Sequence, residues 1–82
     1  MRQKPIAETL RSWRTIREFS QRALAARAGM PYPMIAKLEL GQTDPRLSTL
    51  RRLAEALGID VVDLLTGPAE RKRPAVKRVR GK

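Results

Sequence analysis

The stretch RALAARAGMPYPMIAKLE, residues 22–39, decides the fold, because it places two short helical patterns on either side of a glycine. Its apolar residues recur at the three- and four-residue spacing of a helix; they are Leu24, Ala25, Ala28, Ile35 and Leu38. Gly29 lies between the two patterns and adopts positive φ without steric cost, which suits the end of a helix. The sequence therefore predicts two helices joined by a tight turn.

The turn contains an unusual Pro-Tyr-Pro segment, residues 31–33. A residue that precedes proline is pushed out of the α region, so we expect Tyr32 to be extended. Pro33 has a φ compatible with the first helical position, where its missing N–H is not needed. The second helix is therefore predicted to begin at Pro33 and to run to about Leu40, with Gly41 as its stop. Tyr32 would then project beside the start of this helix.

The flanking sequence is also helical in its periodicity. A helix is predicted from about Pro5 to Arg17, with Trp13 on its buried stripe, and Ser20 is suited to cap a helix from Gln21 to Ala28. Two more helices are predicted in STLRRLAEALG and DVVDLL, the first burying Leu47, Leu50, Leu53, Ala54 and Leu57 and the second capped by Asp60. Asp60 and Asp63 resemble a carboxylate pair, but capping of this last helix explains both. The expected fold is all-α, a compact five-helix domain without strands.

Composition limits the function of this chain. It has 82 residues and a net charge of +10 at pH 7, so we expect one small domain with a polyanionic partner. The sequence contains no Cys and no His, which removes disulfides, thiolate nucleophiles, imidazole metal ligands and His-dependent catalytic triads. We therefore expect no enzyme activity, no metal, no cofactor and no small-molecule substrate.

Positive charge is concentrated at the C-terminus. Residues 66–82, TGPAERKRPAVKRVRGK, contain seven basic residues and one acidic residue, with few apolar side chains. Such a segment cannot bury enough surface to order itself, so we expect a domain over residues 1–66 and a flexible, disordered basic tail over residues 67–82. We expect this tail to contact nucleic acid, although a simply solvated run of charge is the alternative. Its basic residues are Arg71, Lys72, Arg73, Lys77, Arg78, Arg80 and Lys82.

The joint spacing of these features resembles the lambda-repressor and Cro type of helix-turn-helix domain, the xenobiotic-response-element family of bacterial and phage regulators. The resemblance covers about residues 6–65 without a gap. It depends on the motif residues Ser20, Gln21, Leu24, Ala25, Gly29, Ile35, Leu38, Glu39, Gly41, Pro45, Leu47 and Leu50, followed by LAEALGI and by Asp63, Leu64 and Leu65. The resemblance implies a sequence-specific DNA-binding transcriptional regulator, most simply a repressor.

The resemblance also implies which residues contact double-stranded DNA. The helix that begins near Pro33 would lie in the major groove, with base contacts from Tyr32, Pro33, Met34, Ala36 and Lys37. Phosphate contacts would come from Gln21 at the start of the preceding helix and from the loop residues Gln42, Thr43 and Arg46. Packing of Tyr32 against the domain itself is the alternative role for that ring.

The sequence departs from the family at the residues that would read the bases. Pro31 replaces the usual Ser or Thr cap, and Tyr32 and Pro33 stand where polar side chains are common. Since the reading face is mostly apolar, we expect it to contact thymine methyl groups, with one phenol and one ammonium as its polar groups. Two other functions stay open: an antitoxin that binds a toxin as well as its operator, and a protein-binding adaptor that has lost DNA readout.

The sequence also predicts the oligomeric state and the location of the protein. A domain of this size with Leu64 and Leu65 near its C-terminal end would expose part of that apolar surface as a monomer, so we expect a homodimer that uses the last helix. The N-terminal sequence MRQKPIAETLRSW has no signal-peptide pattern, and no apolar run approaches the length of a membrane span. We expect a cytoplasmic protein that associates with the nucleoid through DNA.

Overall fold

The computed structural model describes residues 5–68, and this part of the chain folds into five helices without a strand. The helices are α1 (Ile6–Ile16), α2 (Gln21–Ala28), α3 (Tyr32–Glu39), α4 (Leu47–Leu57) and α5 (Val61–Thr66). The all-α prediction is confirmed, and the predicted helices match within one or two residues. Residues 69–82 of the predicted basic tail, which include all of its basic residues, lie outside the described residues, and so does the prediction of disorder there.

One core holds the five helices together, and each helix contributes to it. The buried residues are Leu10, Trp13, Leu24, Ala25, Ala28, Ile35, Leu38, Leu53, Ala54, Leu57 and Leu64. Trp13 also donates its indole N–H to the backbone carbonyl of Asp63 at 2.9 Å, which ties α1 to α5. The predicted core role of Trp13 is confirmed.

The predicted signals at the start and end of α2 are confirmed. The Ser20 hydroxyl accepts the backbone N–H of Ala23 at 2.9 Å, satisfying one of the free donors of the first turn. Gly29 has a φ of 68°, and no neighbouring atom lies within 4 Å of the position that a Cβ would occupy. Glycine is therefore favoured there by the backbone conformation and not by a lack of space. Asp60 and Asp63 together form a capping box at the start of α5, as the capping interpretation expects.

The predicted start of α3 was wrong by one residue. Pro31 is the extended N-cap, with ψ at 141°, and Tyr32 is already helical. The carbonyl of Pro31 accepts the N–H of Met34 at 3.0 Å, which closes the first turn of the helix around Tyr32 and Pro33. This turn, together with the burial of Ile35 and Leu38, outweighs the usual preference of a residue before proline for extended backbone.

The predicted burial of Leu47 was also wrong. Leu47 is 55% exposed, because it is the first residue of α4 and precedes the buried residues of that helix, Leu53, Ala54 and Leu57. Of the two leucines near the C-terminal end, Leu64 is completely buried in the core, and the half-buried Leu65 exposes part of the apolar surface, as expected. On α5, the exposed apolar side chain is that of Val62, which is 67% exposed.

Candidate nucleic-acid interface

Helices α2 and α3 pack against each other through small and branched side chains. Ala25 is buried at this contact, where a larger side chain would hold the two helices apart. After Gly29, Met30 donates its N–H to the carbonyl of Ala25 at 3.0 Å, which closes the end of α2. The turn therefore sets α3 at a defined angle to α2.

This packing leaves one face of α3 exposed to solvent. Ile35, Leu38 and Glu39 point into the protein. The five residues predicted to contact bases lie on the other side or at the start of the helix: Tyr32, Pro33, Met34 and Lys37 are exposed, and Ala36 is half-buried. The structure thus brings the predicted base-reading residues together on one surface, which we call the α3 face.

Residues of the α3–α4 loop lie beside this face. Met34 lines a shallow cleft together with Thr43 and Arg46. Gln42 is exposed at the start of the loop, and its backbone N–H donates to the carbonyl of Lys37 at 3.0 Å. The cleft is also lined by Asp44, whose negative charge opposes a phosphate, and by the exposed guanidinium groups of Arg46 and Arg52, which favour one.

Gln21 lines a second shallow cleft at the start of α3, together with Ser20, Arg22 and Tyr32. Its side-chain amide donates to Glu39 Oε1 at 3.0 Å. This predicted phosphate contact is therefore held in place from within the protein. One of its amide hydrogens is occupied by that bond, and the second stays available to a ligand.

Sequence reasoning missed the charged cluster behind this cleft. Glu39 is 4% exposed, and Arg14 donates to both of its carboxylate oxygens, from Nε at 2.6 Å and from Nη2 at 3.0 Å. Arg14 also donates to the carbonyl of Phe19 at 2.9 Å. A usable signal was present, because Glu39 follows Ile35 by four residues and so lies on the buried stripe of α3, where a carboxylate requires a partner.

A second contact was also missed. The guanidinium carbon of Arg22 lies 4.4 Å from the centre of the Tyr32 ring, so the two side chains stack across the α2–α3 turn. Tyr32 remains 37% exposed, and Arg22 is exposed as well. The sequence offers no signal for this contact, since ten residues and a turn separate the two positions.

Neither a metal-binding cluster nor a membrane-spanning helix is found among the described residues. Within residues 5–68, no group of three or more acidic, His or Cys side chains is arranged to hold a metal ion. None of the helices in this range is both long and apolar enough to cross a membrane. The α3 face and its two clefts are thus the surface on which the functional interpretation depends.

Comparison with known proteins identifies the fold. Residues 10–64 match the helix-turn-helix family. The chain is similar to the HTH-type transcriptional regulator DdrOP3 of Deinococcus deserti, with 40% identity over 62 residues, 76% of this chain and 48% of that protein. It is also similar to the control protein C.SmaI of Serratia marcescens, with 41% identity over 61 residues, 74% of this chain and 73% of that protein. The chain spans about half the length of the first of these relatives.

Solved structures give the same result. The DNA-binding domain of the P22 C2 repressor aligns with a TM-score of 0.76 and 28% identity, covering 82% of this chain and 88% of that one. The restriction-modification controller protein C.AhdI of Aeromonas hydrophila aligns with a TM-score of 0.71 and 32% identity, covering 73% of this chain and 91% of that one. The predicted lambda-repressor-like fold is confirmed.

Proposed function

The chain belongs to the helix-turn-helix family of DNA-binding transcription regulators, and from that premise we propose that it binds a specific DNA sequence with α3 in the major groove and represses transcription. The finding that carries this proposal is the α3 face. A helix of eight residues is about 12 Å long at 1.5 Å per residue, short enough to lie within the groove.

The proposed base contacts come from Tyr32, Pro33, Met34, Ala36 and Lys37. Exposure of the Tyr32 and Met34 side chains, at 37% and 38%, supports their availability to a ligand. Their apolar surface favours the methyl group of thymine, and the Lys37 ammonium favours the acceptors of thymine O4 or guanine O6 and N7. The preferred site should therefore include thymines at the positions that face the start of α3.

Phosphate contacts would flank the α3 face on both sides. We assign them to Gln21 on one side and to Gln42, Thr43 and Arg46 on the other. Such contacts fix the register of the protein on the duplex without reading sequence. The bond from Gln21 to Glu39 supports this role, because a side chain that is already ordered loses less freedom on binding.

A homodimer would place two α3 faces about 34 Å apart, one helical turn of DNA. The exposed Val62 and the half-buried Leu65 on α5 support this interface, in place of the buried Leu64. The proposed organisation is a DNA-binding domain over residues 1–66 and a basic arm over residues 67–82, in a cytoplasmic protein bound to the nucleoid. Repression would follow from occlusion of a promoter.

Selection of genomic fragments by the purified protein tests the proposal. We expect enrichment of a two-fold symmetric site. The Lys37→Ala variant should show a weaker preference for that site than the wild type. Replacing thymine by uracil in that site removes only the methyl groups, so affinity should fall at contacted positions and at no others. Absence of any enriched sequence would contradict the proposal and would favour the protein-binding adaptor, while co-purification with a small toxin would favour the antitoxin.

A further inference from the structure

The stacked pair of Arg22 and Tyr32 links the two helices of the motif at the edge of the α3 face. The guanidinium carbon lies 4.4 Å from the ring centre, in the range of a direct cation–π contact. Arg22 is the second residue of α2, and Tyr32 is the first residue of α3. The contact therefore connects the start of one helix to the start of the other.

The stack uses only one face of the guanidinium group. The N–H donors of a guanidinium lie in its own plane, so a stacked arrangement leaves them free to bind an acceptor. Among the described residues, no hydrogen bond or ion pair engages the Arg22 guanidinium. The pair thus presents a positioned set of donors next to an exposed aromatic ring.

The nearby acidic group does not neutralise Arg22. Glu39, which binds the neighbouring Gln21, has both carboxylate oxygens engaged by Arg14 and Gln21, and no ion pair joins it to Arg22. The charge of Arg22 is therefore available to an outside anion. When a protein contacts a base of DNA, the nearest anion is the phosphate of the adjoining DNA backbone.

We propose that Arg22 is a positioning residue for DNA readout: it holds the Tyr32 ring at the groove and donates to the phosphate next to the base that Tyr32 contacts. This inference rests on the proposed function, in which α3 enters the major groove. It goes beyond that function because it makes a residue of α2 part of sequence recognition. The contact to the DNA phosphate and the contact to the base would then be coupled through the side chain of Arg22.

Arg27 is a matched control on the same helix. Its guanidinium carbon also lies 4.4 Å from an aromatic ring, that of Phe19, and its side chain is also exposed. It lines a cleft with Arg52 and Glu55 that includes neither Tyr32 nor any other residue of the α3 face. Arg27→Ala therefore removes the same charge and the same type of stack without touching the α3 face.

Three variants are to be compared with the wild type on the selected site and on random DNA across a salt series: Arg22→Ala, Arg22→Lys and Arg27→Ala. Arg22→Ala should lower the salt slope by about one and reduce the ratio of specific to non-specific affinity by about two- to fivefold, more than Arg27→Ala does. Arg22→Lys should leave the salt slope unchanged, because the positive charge remains. It should lower the ratio of specific to non-specific affinity, because an ammonium lacks the planar stacking face. Equal effects of Arg22→Ala and Arg27→Ala on the ratio would overturn the proposal.

A measurement without DNA separates this inference from the proposed function. Three-bond NMR couplings report the side-chain rotamers of Tyr32 in the free protein. They should indicate one dominant χ1 rotamer in the wild type and in Arg27→Ala, and averaging in Arg22→Ala. Unchanged couplings in Arg22→Ala would overturn the proposed role of Arg22 and leave the proposed function standing. Failure of the wild type to prefer any sequence would overturn the proposed function.

Discussion

Arg14 on α1 and Glu39 at the end of α3 are joined by two hydrogen bonds, of 2.6 and 3.0 Å, on the inner side of the domain. Gln21 at the start of α2 donates a third bond to the same carboxylate at 3.0 Å. Three helices therefore meet at one buried group. The end of α3 is held by directional contacts in addition to the apolar packing of Ile35 and Leu38.

Removal of the Glu39 carboxylate should be strongly destabilising. Glu39→Ala leaves Arg14 without its partner, and the loss of one member of a buried pair costs about 3 kcal/mol or more in the free energy of unfolding. Urea denaturation followed by circular dichroism measures this change. Glu55→Ala is the control, because Glu55 is exposed on α4. The importance of the pair would be refuted by equal stability of the two variants.

A second prediction concerns the end of α1, where Glu18 has a φ of 60°. Phe19 donates its N–H to the carbonyl of Arg14 at 3.1 Å, the same six-residue closure that Met30, Gln42 and Ile59 make at the ends of α2, α3 and α4. In those three cases the residue with positive φ is glycine. Glu18→Gly should therefore raise the free energy of unfolding by about 1 kcal/mol.

Glu18→Ala provides the control for this prediction, since it removes the carboxylate but keeps the Cβ that makes a left-handed backbone unfavourable. Its stability should stay close to that of the wild type. If Glu18→Gly proves no more stable than Glu18→Ala in the same urea experiment, the strain at this helix end is too small to matter.

Much of the fold could be predicted because its signals are local. Ser20 and Gly29 determine the two ends of α2 through their own backbone and side-chain chemistry, so neighbours in the sequence suffice. Helical periodicity likewise indicates a buried Trp13. The boundary at Tyr32 was wrong because a local preference before proline competes there with the packing of the whole helix.

The candidate site was only partly predictable, for the opposite reason. The exposed residues of α3 follow from the helical pattern once the buried stripe is known. Contacts such as Arg14 with Glu39 or Arg22 with Tyr32 depend on the angle between helices, which the sequence does not state. Likewise, Leu64 could not be assigned to the core rather than to an interface until the position of α5 was known.

The basic tail should contribute affinity without sequence preference. If domain and tail together neutralise about six to ten phosphates, the logarithm of affinity should fall with the logarithm of salt at about −0.9 per contact. Deletion of residues 69–82 should flatten this slope and leave the preferred sequence unchanged. Fluorescence anisotropy across a salt series measures both. A truncated protein that no longer prefers its site would mean that the tail reads sequence.

The dimer prediction is tested at Val62, which is 67% exposed on α5. Val62→Lys should convert the dimer to a monomer, because a charge in an apolar interface lacks a partner, while thermal stability at low concentration changes little. Analytical ultracentrifugation at micromolar concentration measures the mass. The proposed dimer is contradicted by a wild-type protein that sediments only as a 9.3 kDa species, with or without operator DNA.

The most direct test of the account is the ratio of specific to non-specific affinity of Tyr32→Ala, measured together with its melting temperature. Since Tyr32 is 37% exposed and its ring stacks on the exposed Arg22, the substitution should lower the melting temperature only slightly. Lys37→Ala on the same face is the companion variant. Each should lose about 1 to 3 kcal/mol of binding free energy for the preferred site and much less for random DNA. A Tyr32→Ala protein that melts several degrees lower with an unchanged ratio would contradict the account, because the ring would then be a packing element rather than a reader of DNA.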